Sequence, residues 1–268
     1  MEFRITTLVE NCVYGKGLCA EHGLSLYIQA GERKVLLDTG ASDLFIRNAH
    51  ILGIDLTTID YLVLSHGHND HTGGLRYFMN ANKKAEIICK KEIFQHKYKN
   101  EIENGIAHPE NLDLSRFHPI EEISEIVPGL FVCPQLKITD KKDTHFENFF
   151  TKVDNHIIAD TFEDELAIAL KDGKNLSILS SCSHRGITNI IQSVQEAFPK
   201  STLKLVLGGF HIHTAVDEKF EIISTFIGTN LPKRLGVCHC TGVDKYALFQ
   251  QQFKDRVFYN FTGHEEVV

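Results

Sequence analysis

Three histidines and an aspartate fall within six positions at His66-Gly67-His68-Asn69-Asp70-His71, directly after the apolar run Leu62-Val63-Leu64 and before Gly73-Gly74. Imidazole nitrogen and carboxylate oxygen are donors that suit zinc. His66 and His68 stand two apart, so at the end of an extended strand their side chains project to one side. Asp70 and His71 follow in a turn that can fold back over the same point. Four potential ligands on a short loop behind a rigid strand read as a divalent-metal site rather than a solvated polar loop. Fifteen histidines in the chain would give some clustering by chance, but this spacing between a strand and a glycine pair is specific.

Three more histidines, His184, His211 and His239, each follow an apolar run and precede a helical stretch. In open α/β sheets, ligands bind outside the carboxyl ends of the strands. A lone histidine there is usually only hydrogen-bonded. Three of them, in a chain that already carries a four-ligand loop, point to one shared site. Cys238-His239-Cys240 has no second cysteine pair at zinc-finger spacing, so a structural four-cysteine zinc site is not expected. The seven cysteines are odd in number and widely spread, which predicts reduced thiols rather than a disulfide framework.

The elements that would position these residues are legible as periodic runs. Residues 2–9 read as a first strand, and residues 24–28 and 34–38 as a hairpin. Residues 43–52 carry apolar positions at helical spacing, and a helix is expected after Gly74. Residues 126–136 read as strand interrupted by a Pro-Gly turn. From Phe162 onward a hairpin over 166–179 is followed by helix 187–198, strand 203–207, helix 217–227, helix 243–254 and a last strand at 257–260. Strands first, then alternating strands and helices, in each half of the chain, predict two sheets covered by helices: an α/β fold of layered αββα type. No repeat or low-complexity linker divides the chain. A single domain over residues 1–268 is expected, with a lid-like insertion around 90–160; residues 90–118 are polar and read as an irregular or helical excursion.

Composition excludes other classes. The formal net charge is −7, from 28 basic and 35 acidic residues, which disfavours broad capture of nucleic acid. The lysines at 83, 84, 90, 91, 97 and 99 read as a solvated face. No apolar run reaches the roughly 18 residues of a membrane helix, and the N-terminal residues lack a secretory pattern. A cytoplasmic protein without a membrane partner is the expectation. No pattern specifies an oligomeric state.

The His-x-His-x-Asp-His loop, together with Asp38-Thr39-Gly40 at the end of a strand, resembles the metallo-β-lactamase fold superfamily. Within it, four further segments resemble the branch that includes dihydropterin ribofuranosyl-aminobenzene phosphate synthase. They are Glu21-His22-Gly23-Leu24-Ser25, Ser181-Cys182-Ser183-His184-Arg185-Gly186-Ile187, Gly208-Gly209-Phe210-His211 and His239-Cys240-Thr241-Gly242. The resemblance implies the four-layer αββα sandwich. It implies His66, His68 and His184 for a first ion, and Asp70, His71 and His239 for a second. Asp38 then serves to orient a histidine ligand, as carboxylates beside metal sites do. Where relatives carry a bridging aspartate, this chain has Ser181-Cys182, so the bridge is missing, supplied by Cys182, or made by water. The number of ions, one or two, stays open for that reason. Zinc is the expected metal, with Mn2+ or Fe2+ as alternatives.

An open zinc site lowers the pKa of its water to about 7 and so supplies a nucleophile at neutral pH. The expected activity is a metal-dependent hydrolase acting on a small anionic molecule, phosphorylated or pterin-like. Asp70 would orient the attacking water or shuttle its proton. His22, Arg185, His211 and Thr241 are the candidate substrate contacts, Arg185 because its planar fork pairs with phosphate or carboxylate. A synthase of the methanopterin-pathway type, or a non-catalytic metal-binding protein, are the alternatives. A di-iron redox role is disfavoured because His68 stands where such relatives have glutamate. A nuclease role is disfavoured by the charge.

Overall fold

The computed structural model describes residues 2–268 and contains two seven-stranded sheets and one small one. In the first sheet the strands lie in the order Glu265–Val267, Phe3–Val9, Ser25–Ala30, Arg33–Leu37, Tyr61–Val63, Glu86–Cys89 and Phe117–Pro119. The second runs Val257–Tyr259, Arg234–Val237, Thr202–Gly208, Asn175–Ser180, Ala167–Asp172, Leu130–Cys133 and Ser124–Val127. Antiparallel hairpins enter each sheet, whereas strands separated by helices are parallel, as crossover connections require.

Three apolar layers explain why the sheets stack. The first lies between the sheets, where Ile5, Leu26, Ile28, Val35 and Val63 of one face Val132, Ile168, Leu170, Leu205 and Leu207 of the other. The second covers the outer face of the second sheet with Ile190, Ile191 and Val194 from helix Ile187–Ala197, Ile223 and Ile227 from Asp217–Thr229, and Phe249 from Val243–Phe253. The third packs Phe45 and Ala49 of helix Leu44–Ile51 and Phe78 of Leu75–Ala81 on the first sheet. Central strands buried on both faces read as continuous apolar runs, which is why Ile168-Ala169-Leu170 and Leu205-Val206-Leu207 carry no alternation. The result is the expected four-layer αββα sandwich.

Residues 90–118 differ from the irregular or helical reading. Lys97–Lys99 and Ile102–Glu103 form a hairpin that joins Phe149–Val153 and His156–Ala159 in a four-stranded antiparallel sheet. The segments are too short to show a period, and their pairing spans about fifty residues, so neither half reveals the other. The strand Glu265–Val267, which pairs with the first strand, was likewise hidden by its polar composition. Among the described residues no helix is long and apolar enough to cross a membrane.

Candidate metal centre

Five strands deliver the site, all at their carboxyl ends. Tyr61–Val63 leads into the 66–71 loop, Arg33–Leu37 into Asp38, and Asn175–Ser180, Thr202–Gly208 and Arg234–Val237 into the loops of His184, His211 and His239. The chain turns sharply at four of these ends by placing a residue with a side chain in the left-handed region: Asp38 (φ 58°), Ser183 (57°), His211 (51°) and His239 (52°). Each such residue costs on the order of 1–3 kcal/mol and persists only where its surroundings hold it. The Gly73-Gly74 pair has a different reason: a Cβ on Gly73 would stand 2.2 Å from the Ala41 carbonyl oxygen. Bare backbone there lets the histidine loop dock on the Asp38 loop, where Thr39 N donates to the His71 carbonyl at 2.8 Å.

The donors converge in two adjoining groups, His66–His68–His184 and Asp70–His71–Cys182–His239, whose ligand atoms lie within 4.8 Å of one another in each group. A third grouping joins Cys182, His184 and His211. Nε2 of His66, His68 and His184, and Nδ1 of His211, are buried without a hydrogen-bond partner. Orphaned buried polar atoms are costly, and so many gathered in adjoining groups fit a cation. Burial, helped by neighbouring imidazoles, holds His66 and His184 well below the usual histidine pKa. Burial also pushes His68 down to about 3 and His239 to about 4. Neutral imidazole is the form that binds metal.

Carboxylates behind the loops fix their aim. Asp38 Oδ2 accepts from His71 Nδ1 at 2.8 Å and from the Ser65 and Ser181 hydroxyls at 2.6 Å each, while Oδ1 accepts from Ser65 N at 2.8 Å. Asp164 Oδ2 accepts from Gly67 N at 2.7 Å, and its Oδ1 meets the buried Lys97 ammonium at 2.9 Å. Glu165 accepts from His184 N at 2.6 Å and Arg185 N at 2.7 Å. Glu10 accepts from His239 N at 2.6 Å, from Cys12 N at 2.6 Å and from the Tyr259 hydroxyl at 2.8 Å. Burial raises Glu10, and pushes Glu165 up to about 7, in spite of these donors. Asp38 takes the place that the sequence assigned it. Glu10, Asp164 and Glu165 were not singled out there, and Lys97, read as part of a solvated face, is instead buried because Asp160 and Asp164 pair its charge. The available signal was a carboxylate set directly beside an otherwise apolar strand, as in Val9-Glu10 and Asp164-Glu165-Leu166.

The remaining expectations divide. His22 reaches the site: its Nε2 is 3.2 Å from Asp70 Oδ2, which also lies 3.4 Å from His239 Nε2 and 3.8 Å from His71 Nε2. Burial would raise the Asp70 carboxyl, but His71 and the hydrogen bonds from His22 and His239 hold it well below the usual range. His211 lines the cleft. Cys182 stands among the donors, its Sγ 3.1 Å from His71 Nε2. Arg185 does not reach the cleft. Its Nε donates to the Leu136 carbonyl at 3.1 Å and its Nη1 to the Thr161 carbonyl at 2.9 Å and Glu163 at 3.0 Å. Thr241 is fully buried, and its hydroxyl accepts from Phe210 N at 3.0 Å, which braces the His211 loop instead of facing a ligand.

His68, Asp70, Cys182, His211 and His239 line a cleft of about 820 Å³, together with Lys99 and Phe149 of the small sheet and Asn104 beside it. That volume suits a small molecule. Phe149 packs on His68, His184 and His211 with ring centroids 4.9, 5.1 and 5.7 Å away, and Phe162 stacks on His184 at 3.8 Å.

This sandwich brings histidines and an aspartate that could hold a metal together at its strand ends, and residues 20–136 match the metallo-beta-lactamase superfamily model. The chain belongs to the metallo-beta-lactamase superfamily. It is 31% identical, over 94% of its length and 92% of the relative's, to 7,8-dihydropterin-6-methyl-4-(beta-D-ribofuranosyl)-aminobenzene-5'-phosphate synthase of Methanocaldococcus jannaschii. Among solved structures it is similar to Tm1679, described as a metal-dependent hydrolase of the beta-lactamase superfamily, with 31% identity, 98% of each chain covered and a TM-score of 0.86. The fold is shared with YhfI of Bacillus subtilis at 14% identity, all of both chains and a TM-score of 0.61.

Proposed function

We propose that this chain is a metal-dependent hydrolase of a small molecule with an anionic group, phosphorylated or pterin-like, and that zinc is its resident ion. The observation that carries the reading is the clustering of unpartnered, buried imidazole nitrogens at a substrate-sized cleft that His68 and His211 line. His66, His68 and His184 would hold one ion, and Asp70, His71 and His239, with Cys182, a second; Mn2+ or Fe2+ would suit the nitrogen and oxygen donors as well. When bound, such ions supply Lewis acidity and a nucleophile at neutral pH.

The protein's own groups do the rest. Asp70 orients the attacking group, and His22, open to solvent and 3.2 Å from Asp70 Oδ2, carries the proton to and from it. Phe149 and Phe162 exclude water from one side of the floor. Lys99 is the one lysine or arginine among the residues lining the cleft, and with Arg185 turned away it is the group that meets the substrate's anion. His211 contacts the substrate beside it. The small sheet that carries Lys99 and Phe149 acts as a lid.

A synthase reaction is the second reading, favoured by the name of the Methanocaldococcus relative. The same residues would then hold an ion that supplies positive charge to stabilise a negatively charged substrate group. Metal analysis by plasma mass spectrometry and turnover of a panel of phosphomonoesters, phosphodiesters and lactones test the proposal. His66→Ala and His184→Ala are expected to lose both ion and turnover. Full activity in a metal-free double variant would sink it.

A further inference from the structure

Cys240 sits at the edge of the candidate centre without belonging to either donor group. Its Sγ is 3.5 Å from Cys182 Sγ and 3.6 Å from the Cys182 carbonyl oxygen. The two thiols come from separate strand ends, Asn175–Ser180 and Arg234–Val237, whose parallel neighbour Thr202–Gly208 lies between them. The room for this approach is made by Gly209: a Cβ there would stand 2.6 Å from Cys240 Sγ and 2.5 Å from the Ser181 carbonyl oxygen. Cys240 is half-buried and lines the cleft, so a small oxidant entering with solvent reaches it, whereas Cys182 is buried behind it against His71.

We propose that Cys182 and Cys240 form an oxidisable pair, and that its closure to a disulfide takes the Cys182 sulfur out of the Asp70–His71–His239 donor group. A disulfide needs the sulfurs at about 2.05 Å. Closing from 3.5 Å requires side-chain rotation and a small loop shift. With hydrogen peroxide as oxidant, the Cys240 sulfur attacks a peroxide oxygen; the O–O bond breaks, leaving Cys240 sulfenic acid and one water. The Cys182 sulfur then attacks Cys240 Sγ; the S–S bond forms, the S–O bond breaks, and the departing hydroxide takes the Cys182 proton as a second water. Two thiols are oxidised and one peroxide is reduced to two waters. His66, His68 and His184 keep their nitrogens throughout, so the first donor group survives the closure while the second is reduced from four donors to three.

The consequence for ion content rests on the two-ion reading above; the thiol chemistry does not. The metal-loaded protein is treated with hydrogen peroxide, blocked with an alkylating agent and digested without reductant. A Cys182–Cys240 linked peptide, a loss of about half of the bound metal, and recovery of both states with dithiothreitol and added zinc are expected. Cys240→Ser and Cys240→Ala are each expected to abolish the linkage and to keep the metal under the same treatment. No linked peptide, a link from Cys240 to Cys12 instead, or a linked pair with unchanged metal content would overturn the proposal. An untreated protein that holds no ion at the Asp70 group would count against the two-ion reading alone, because the linked peptide reports the pair independently.

Discussion

Replacing Lys97 with methionine tests how the small sheet and the histidine loop are joined. Lys97 is buried, with its ammonium 2.7 Å from Asp160 Oδ2 and 2.9 Å from Asp164 Oδ1, and its charge is also 5.1 Å from the Phe162 ring centroid. Burial disfavours that charge, but the two carboxylates hold its pKa above the usual lysine value. Methionine matches the stem and removes the charge, leaving two buried carboxylates facing each other. Breaking a buried ion pair from one side costs about 3–5 kcal/mol, which for a chain of this size lowers the melting temperature by roughly 5–9 °C. The other oxygen of Asp164 holds Gly67 N between His66 and His68. The loop is therefore expected to lose its aim, and zinc affinity to fall about 10–100-fold, the usual effect of losing a group that orients ligands. Urea unfolding of the metal-free protein and competition with a chelator measure the two effects separately. Adding Asp160→Asn to Lys97→Met should recover part of the stability. A stability change under about 1 kcal/mol, or unchanged zinc affinity in a folded variant, would refute the reasoning.

Lys99→Ala is expected to raise KM for phosphorylated substrates about 10-fold or more with kcat little changed, and to leave neutral esters unaffected; equal effects on both would remove Lys99 as the anion contact. Arg185→Ala, by contrast, should alter stability and not KM, because its guanidinium is spent on the Leu136 and Thr161 carbonyls and Glu163. Glu266 pairs with Arg234 at 3.1 and 2.9 Å and, although burial would raise it, these bonds and His264 lower its pKa to about 2. Its folded pKa is depressed, so its contribution is present above the unfolded value near 4.5 and is lost as pH falls toward 2. Glu266→Gln should flatten that part of the stability profile, read by urea titration at pH 5 and pH 2.5. Gly73→Ala should weaken metal binding through displacement of the loop, since no compensating shift of the Ala41 backbone is cheap.

The layers and the clustering of the histidine loop could be read from residue order because their signals are local. An apolar run followed at once by His66, His68, Asp70 and His71 places strand and candidate donors together, and the same pattern marked His184, His211 and His239. Arg185 misled because adjacency in sequence says nothing about direction: next to His184 it turns the other way, toward Leu136. Thr241 likewise faces inward while His239 faces the cleft. The buried acids were hidden by distance. Glu10 supports a histidine 229 positions away, and Asp164 a glycine 97 away. No periodic pattern encodes such pairs, and an acid beside an apolar run is equally common at a solvated strand end. The small sheet was hidden for the same reason, since its strands are short and its partners remote.

Zinc binding at the three-histidine group is the central claim, and a crystal structure of the zinc-loaded protein with anomalous diffraction at the zinc edge tests it most directly. An anomalous peak bonded to His66, His68 and His184 at about 2.0–2.1 Å from each imidazole nitrogen is the predicted result. A peak confined to other residues, or none in a folded protein soaked in excess zinc, would contradict it.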